Sequence, residues 1–203
     1  MSEPRRVLVV RHGETSHNAD GIWQGQLDTE LSPQGVEQAR AAGAALAAYR
    51  PSRVVSSDLA RAAETAEHVA RAAGSPVTLD RRWREIHVGQ WQGLATAEVR
   101  ERWADLLASM DVEDVRRGVD GETLAEVGQR AGSSLGELVD GLGAGECALV
   151  VAHGVSSRCA VADLLGIDQH RATRALATLG NCHWVELAEG RTGWQIRRWN
   201  AHA

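Results

Sequence analysis

Val7-Leu8-Val9-Val10-Arg11-His12-Gly13-Glu14-Thr15 decides how this chain reads. Four apolar residues run without a polar break into an arginine, a histidine and a glycine. A short continuous apolar run bounded by Gly predicts a strand buried on both faces, as in a parallel sheet. Open α/β sheets bind ligands outside the carboxyl ends of their strands. Burying a strand that ends in Arg-His is costly unless an anion meets it. The stretch therefore predicts a strand delivering a guanidinium and an imidazole to an anion site. Alone the pattern is weak, because a histidine after a strand also occurs as a hydrogen-bonded structural residue.

Working outward, the same design returns. Cys147-Ala148-Leu149-Val150-Val151-Ala152 is a second buried run, and it ends in His153-Gly154. Val54-Val55-Ser56-Ser57 is a third strand, followed by a helix with Arg61 in its first turn and Gly74 at its close. Ser57 or Asp58 is the expected cap of that helix. Pro76 to Leu79 reads as a further strand. Between these lie helical patterns. Ser32-Pro33 opens one carrying Val36, Ala39, Gly43 and Leu46. Another runs from Thr96 to about Met110. Thr123-x-x-Glu126 is a capping box opening a helix with Leu124, Val127, Ala131, Leu135, Leu138 and Leu142. A helix from Ser156 to Leu165 follows the second His-Gly. Residues 14–31, 81–93 and 111–121 read as loops. The chain ends with strands 183–188 and 194–199 about a Glu189–Gly193 turn.

Strands alternating with helices predict a mostly parallel central sheet with helices on both faces. The terminal hairpin adds an antiparallel edge. Residues 1–203 form a single α/β domain on this reading, with a small helical lid inserted at about 94–145. A chain of 203 residues and 21.8 kDa suits one domain.

Composition narrows the function classes. Net charge is −5, which disfavours general nucleic-acid binding. No apolar run is long enough to span a membrane, and the N-terminal apolar run is too short for a signal peptide. Three cysteines with no C-x-x-C signal neither a disulfide framework nor a zinc site. A cytoplasmic location is the expectation. All 22 basic residues besides histidine are arginines, which excludes Schiff-base chemistry on lysine.

If the three strands 5–10, 54–56 and 147–152 are neighbours, Arg11, His12, Arg61 and His153 converge. Two guanidiniums and two imidazoles suit a tetrahedral dianion, since Arg binds phosphate bidentately. A neutral imidazole can attack phosphorus, while the arginines and a protonated His153 neutralise the phosphoryl oxygens. The leaving oxygen then needs an acid kept protonated by its surroundings. Glu85 in the loop Trp83-Arg84-Glu85-Ile86-His87-Val88-Gly89-Gln90-Trp91 is one candidate, and Glu14 is the other. A metal site fits less well, because arginines repel a divalent cation and no third ligand neighbours either histidine.

Together these residues resemble the histidine phosphatase, or phosphoglycerate mutase-like, superfamily. The matching pieces are Arg11 to Thr15, Asn18, Ser57-Asp58-Leu59-Ala60-Arg61-Ala62-Ala63-Glu64-Thr65-Ala66, the Glu85/Gly89/Trp91/Gly93 loop and His153-Gly154. The resemblance implies a phosphohistidine on His12, a phosphate pocket of Arg11, Arg61 and His153, and Glu85 as proton donor. It implies no metal and no cofactor. Asn18, Gln24, Gly25, Gly154 and His87 are assigned to phosphate or substrate contacts. Loop bracing is the competing role for Asn18, Gln24 and His87. Trp23, Trp83 and Trp91 suit either a sugar-pocket wall or core packing.

Phosphoglycerate mutases of this family carry an insertion after the acid loop, where this chain is compact. Hydrolysis of a phosphorylated small molecule is therefore expected. Residues 24–32, the 85–93 loop, Gly180-Asn181 and Trp199-Asn200-Ala201 resemble the branch acting on glucosyl-3-phosphoglycerate. Val155, where many relatives have glycine, departs from the pattern. A mutase-type isomerase, an α-ribazole phosphatase and a non-catalytic phosphate-ester binder are the alternatives. The edge hairpin offers a pairing surface for a homodimer.

Overall fold

The computed structural model describes residues 3–203. β1 (Arg6–Arg11) leads through a one-turn helix, α1 (Ser16–Ala19), to α2 (Pro33–Leu46). β2 (Arg53–Ser56), α3 (Ala60–Ala73) and β3 (Val77–Leu79) follow. Next come α4 (Thr96–Arg102), α5 (Ala104–Ser109) and α6 (Leu124–Asp140). β4 (Cys147–Ala152), α7 (Gly154–Leu164) and α8 (Gln169–Ala175) precede the closing pair, β5 (Trp184–Gly190) and β6 (Gly193–Ala201).

The six strands form one sheet in the order β3-β2-β4-β1-β5-β6. β1, β2, β3 and β4 run parallel, β5 is antiparallel to β1, and β6 to β5. Alternation along the strands fills two cores. Leu8, Val10, Leu149 and Val151 face α2 and α3 on one side. Val7, Val9, Ala148 and Val150 face α6 and α7 on the other. The α2 and α3 layer lies close because its faces are small. A Cβ on Gly43 would stand 2.9 Å from the His68 carbonyl oxygen.

Register sets the site. Arg11 pairs with Ala152, and Ser56 with Val151. His12 and His153 therefore emerge at one level, with Ser57 one residue below them.

Several local expectations are revised. Neither Ser57 nor Asp58 caps α3; the cap is Leu59, with no side-chain bond. Both expected caps are engaged elsewhere, Ser57 by His153 and Asp58 by Arg84. The helix expected from Thr96 to Met110 breaks at Trp103, whose ring meets Trp91 at 6.4 Å. α6 joins the helical layer on the sheet, since Ala131, Leu135 and Val139 pack in the same core as Val7 and Val9. α1 and α8 fall where no helix was expected. β6 is one of the two sheet edges and carries exposed Arg197 and Arg198, charges that discourage edge pairing. No helix among the described residues is long and apolar enough to cross a membrane.

Candidate active site

A cleft of about 240 Å³ opens at the carboxyl ends of the parallel strands, lined among others by Arg11, His12, Arg61 and Glu85. The sequence places each group there by a separate element: β1 ends at Arg11 with His12 next, the first turn of α3 carries Arg61, and the loop after β3 brings Glu85.

His12 is 3 % exposed. Its Nδ1 donates to the Gly13 carbonyl at 2.6 Å, which leaves Nε2 as the free lone pair. Arg61 Nε donates to that Nε2 at 3.3 Å. Burial, then Arg61 and Arg11, hold the His12 imidazolium well below its ordinary range, so the ring is neutral. Gly13 is required where it is. A Cβ there would stand 2.5 Å from the Gly35 carbonyl oxygen at the start of α2. Cys182 N–H and the Asn181 amide both donate to the His12 carbonyl and fix the strand end.

Arg61 is 1 % exposed, and its remaining donors reach the carbonyls of Gly25 and Leu27. Gly25 serves through its backbone, at a φ of +53°. Burial draws the Arg61 guanidinium down to about 10, with Glu85 and Asp28 opposing that fall. Arg11 Nη1 donates to the Leu179 carbonyl, and its buried Nε has no protein partner. Among the described residues, neither guanidinium forms a salt bridge.

His153 is fully buried, 5.0 Å from His12 between ring centroids. Its Nε2 lies 2.9 Å from Ser57 Oγ, and its Nδ1 has no protein partner. Burial, Arg61 and His12 depress its imidazolium, which works against the protonated His153 expected from the sequence. Gly154 opens α7 where a Cβ would lie 3.8 Å from both Arg11 Nε and Glu85 Oε2.

Glu85 faces this cluster. Its oxygens accept the N–H groups of Ile86, Val155 and Ser156, the latter two from the first turn of α7. The loop is clamped from behind by Arg130, which donates to the carbonyls of Arg82, Arg84 and Glu85 and to Glu122. The competing Glu14 lies outside the cleft lining and accepts from Ser32 Oγ.

Asn18 and Gln24 both line the cleft, and both also brace it. Asn18 Oδ1 accepts from the Thr15 N–H and the Asn181 amide, while Gln24 Oε1 accepts from Thr15 and Thr29. His87 is not part of the lining. Its Nδ1 accepts the Gly89 N–H, so the structure gives it the bracing role. Trp23 forms part of the outer wall, whereas Trp83 and Trp91 are wholly buried in the cores.

Sequence reasoning missed Ser57, Thr65, Asn181 and Arg130 as supports. Thr65 accepts from Gly13 N–H and donates to the Arg61 carbonyl, tying two site elements together. Ser57 and Thr65 sit in the 57–66 motif, but nothing local signals Asn181's reach across 169 positions to His12. No group of three or more His, Cys, Asp or Glu arranged for a metal occurs among the described residues.

Comparison with known proteins agrees with this geometry. Residues 7–202 match the model of the histidine phosphatase superfamily, branch 1. A glucosyl-3-phosphoglycerate phosphatase of Mycolicibacterium vanbaalenii is 37 % identical over 98 % of this chain and 96 % of its own. A probable phosphoglycerate mutase of Citrobacter koseri is 32 % identical over 96 % of this chain and 89 % of its own. A solved structure of mycobacterial glucosyl-3-phosphoglycerate phosphatase with VO3 superposes with a TM-score of 0.90 at 34 % identity, covering 97 % of this chain and 99 % of that one. The chain belongs to the histidine phosphatase superfamily.

Proposed function

We propose that this chain hydrolyses a phosphomonoester through a phosphohistidine on His12, and that the substrate is glucosyl-3-phosphoglycerate. One observation carries the chemistry. A neutral, buried imidazole presents the Nε2 lone pair beside the guanidinium of Arg61, and among the described residues neither Arg61 nor Arg11 forms a salt bridge. Guanidiniums without a salt-bridge partner beside a nucleophile are suited to a phosphoryl dianion.

In the first half-reaction His12 Nε2 bonds to phosphorus as the bond from phosphorus to the ester oxygen breaks. Arg11, Arg61 and the His153 ring hold the three phosphoryl oxygens, and Glu85 gives the leaving alkoxide its proton. In the second, water bonds to phosphorus, the bond to Nε2 breaks, and Glu85 takes a proton from the attacking water. Inorganic phosphate leaves, and the enzyme regains its starting protonation.

The substrate assignment is supported by near full-length similarity to proteins of that name at 37 % and 35 % identity. The probable mutase at 32 % identity favours isomerisation as the second reading. Phosphate release in chelator from glucosyl-3-phosphoglycerate, 3-phosphoglycerate, α-ribazole 5′-phosphate and p-nitrophenyl phosphate separates these. Strong preference for the first supports the assignment. Thin activity over the whole set keeps the hydrolase and removes the substrate. Interconversion of 2- and 3-phosphoglycerate, primed by a bisphosphate, supports the isomerase. Binding without turnover on any of them overturns the enzyme.

A further inference from the structure

The two site histidines are tethered by opposite ring nitrogens. His12 is held through Nδ1, which donates to the Gly13 carbonyl. His153 is held through Nε2, at 2.9 Å from Ser57 Oγ. Ser57 is wholly buried, and its oxygen also accepts the Leu59 N–H at 3.3 Å. A hydroxyl has one proton to give. With one lone pair engaged by Leu59, the remaining proton finds its acceptor in His153 Nε2.

We propose that Ser57 is a positioning residue that fixes His153 as the Nδ1–H tautomer, so that a neutral imidazole donates a hydrogen bond to a phosphoryl oxygen. The opposite tautomer fails on two counts. A proton on Nε2 would make Ser57 accept from both the ring and Leu59, and its own O–H would be left without an acceptor in a buried site. Such an orphan is unfavourable, because its lost water hydrogen bond is not replaced. Nδ1, which has no protein partner, is the nitrogen left for a phosphoryl group held at His12, 5.0 Å away between ring centroids, and as a lone pair it would meet oxygens that are themselves acceptors. Both histidines are then Nδ1–H tautomers, and they play opposite roles. His12 exposes a lone pair to phosphorus; His153 exposes an N–H to oxygen. Which nitrogen each partner holds decides the role.

This inference rests on the phosphatase reading for its purpose, but its test does not need turnover. Two-bond 1H–15N spectra of the protein labelled in histidine, with His153→Gln used for assignment, read the tautomer directly. The expected spectrum of the unmutated protein at neutral pH shows a protonated Nδ1 and an unprotonated Nε2 for His153. A protonated Nε2 overturns the proposal. Ser57→Ala should shift His153 toward the Nε2–H form and lower kcat about 10- to 100-fold with a smaller change in KM. That is less than the ~100- to 1000-fold cost of deleting such a donor outright. Ser57→Thr, which keeps the hydroxyl, should recover both the tautomer and most of kcat. If Ser57→Ala keeps the Nδ1–H form and full kcat, the proposal is wrong. The unmutated protein's spectrum decides the matter even where a variant does not fold. The predicted tautomer in a protein that hydrolyses no phosphoester would sink the functional reading and leave this one standing.

Discussion

Two sets of arginines stand within one loop of each other and live under opposite rules. Arg11 and Arg61, at the strand ends, bond backbone carbonyls and His12, with no carboxylate ion pair among the described residues. Arg82, Arg84 and Arg130, flanking the Glu85 loop, are each forked onto a carboxylate: Glu137, Asp58 and Glu122. Burial lowers the guanidinium pKa of the first pair, whereas carboxylate partners raise that of Arg82 and Arg84. The paired set builds the wall. The unpaired set holds its charge for something that arrives, because a buried cation without a counter-ion is costly.

The sharpest break between the regions is the nucleophile. His12→Ala should lower phosphate release by about 10⁴-fold or more, since the covalent route is removed entirely. A fall of less than tenfold would contradict the covalent mechanism. Arg61→Lys comes next. It keeps the charge but loses the fork to Gly25, Leu27 and His12, and kcat/KM should drop about 100- to 1000-fold. Arg82→Ala, on the paired side, should leave kcat/KM within about twofold. Its stability cost should be at most about 1 kcal/mol, as for exposed ion pairs generally. Equal kinetic effects from the two arginines would erase the distinction.

Acid should also separate the regions. His12 and His153 have imidazolium pKa values held below the unfolded 6.5, first by burial and then by nearby cations. Unfolding therefore takes up protons once pH drops beneath about 6.5. Stability is fully present above that value and declines as pH falls, by up to about 1.4 kcal/mol per pH unit for each histidine. Urea midpoints between pH 5 and 8 check this, and His153→Gln should flatten the acid side. A midpoint rising toward pH 5 would contradict the burial of neutral rings. The smallest kinetic effect is expected at the cleft's outer wall. Trp23→Ala should raise KM about tenfold for a glycosylated substrate and much less for p-nitrophenyl phosphate. Equal changes for both would remove Trp23 as a sugar-facing wall.

What the sequence made legible were groups whose chemistry is local. The apolar runs ending at Arg11-His12 and His153-Gly154 located two strand ends, and the Thr123–Glu126 capping box located the start of α6. What it hid were side chains that abandon a local role for a distant one. Ser57 and Asp58 have the right chemistry to cap α3, yet Asp58 is taken by Arg84, and Ser57 reaches His153 while its oxygen accepts only the N–H of Leu59, the cap residue. Periodicity from Thr96 to Met110 runs through Trp103, but packing against Trp91 breaks the helix there. His87 sits in the acid loop's motif, and only the fold shows its ring turned to Gly89. Period and propensity cannot see which tertiary partner a side chain will find.

The central claim is the covalent phosphohistidine, and it is tested most directly by trapping it. p-Nitrophenolate leaves without needing a proton, so Glu85→Gln should still be phosphorylated by p-nitrophenyl phosphate while its hydrolysis, which needs a base for water, slows. Rapid base quench and peptide mapping should then find a stoichiometric, acid-labile phosphoryl group on His12. Turnover with no phosphorylated peptide, or with the label on another residue, would contradict the account.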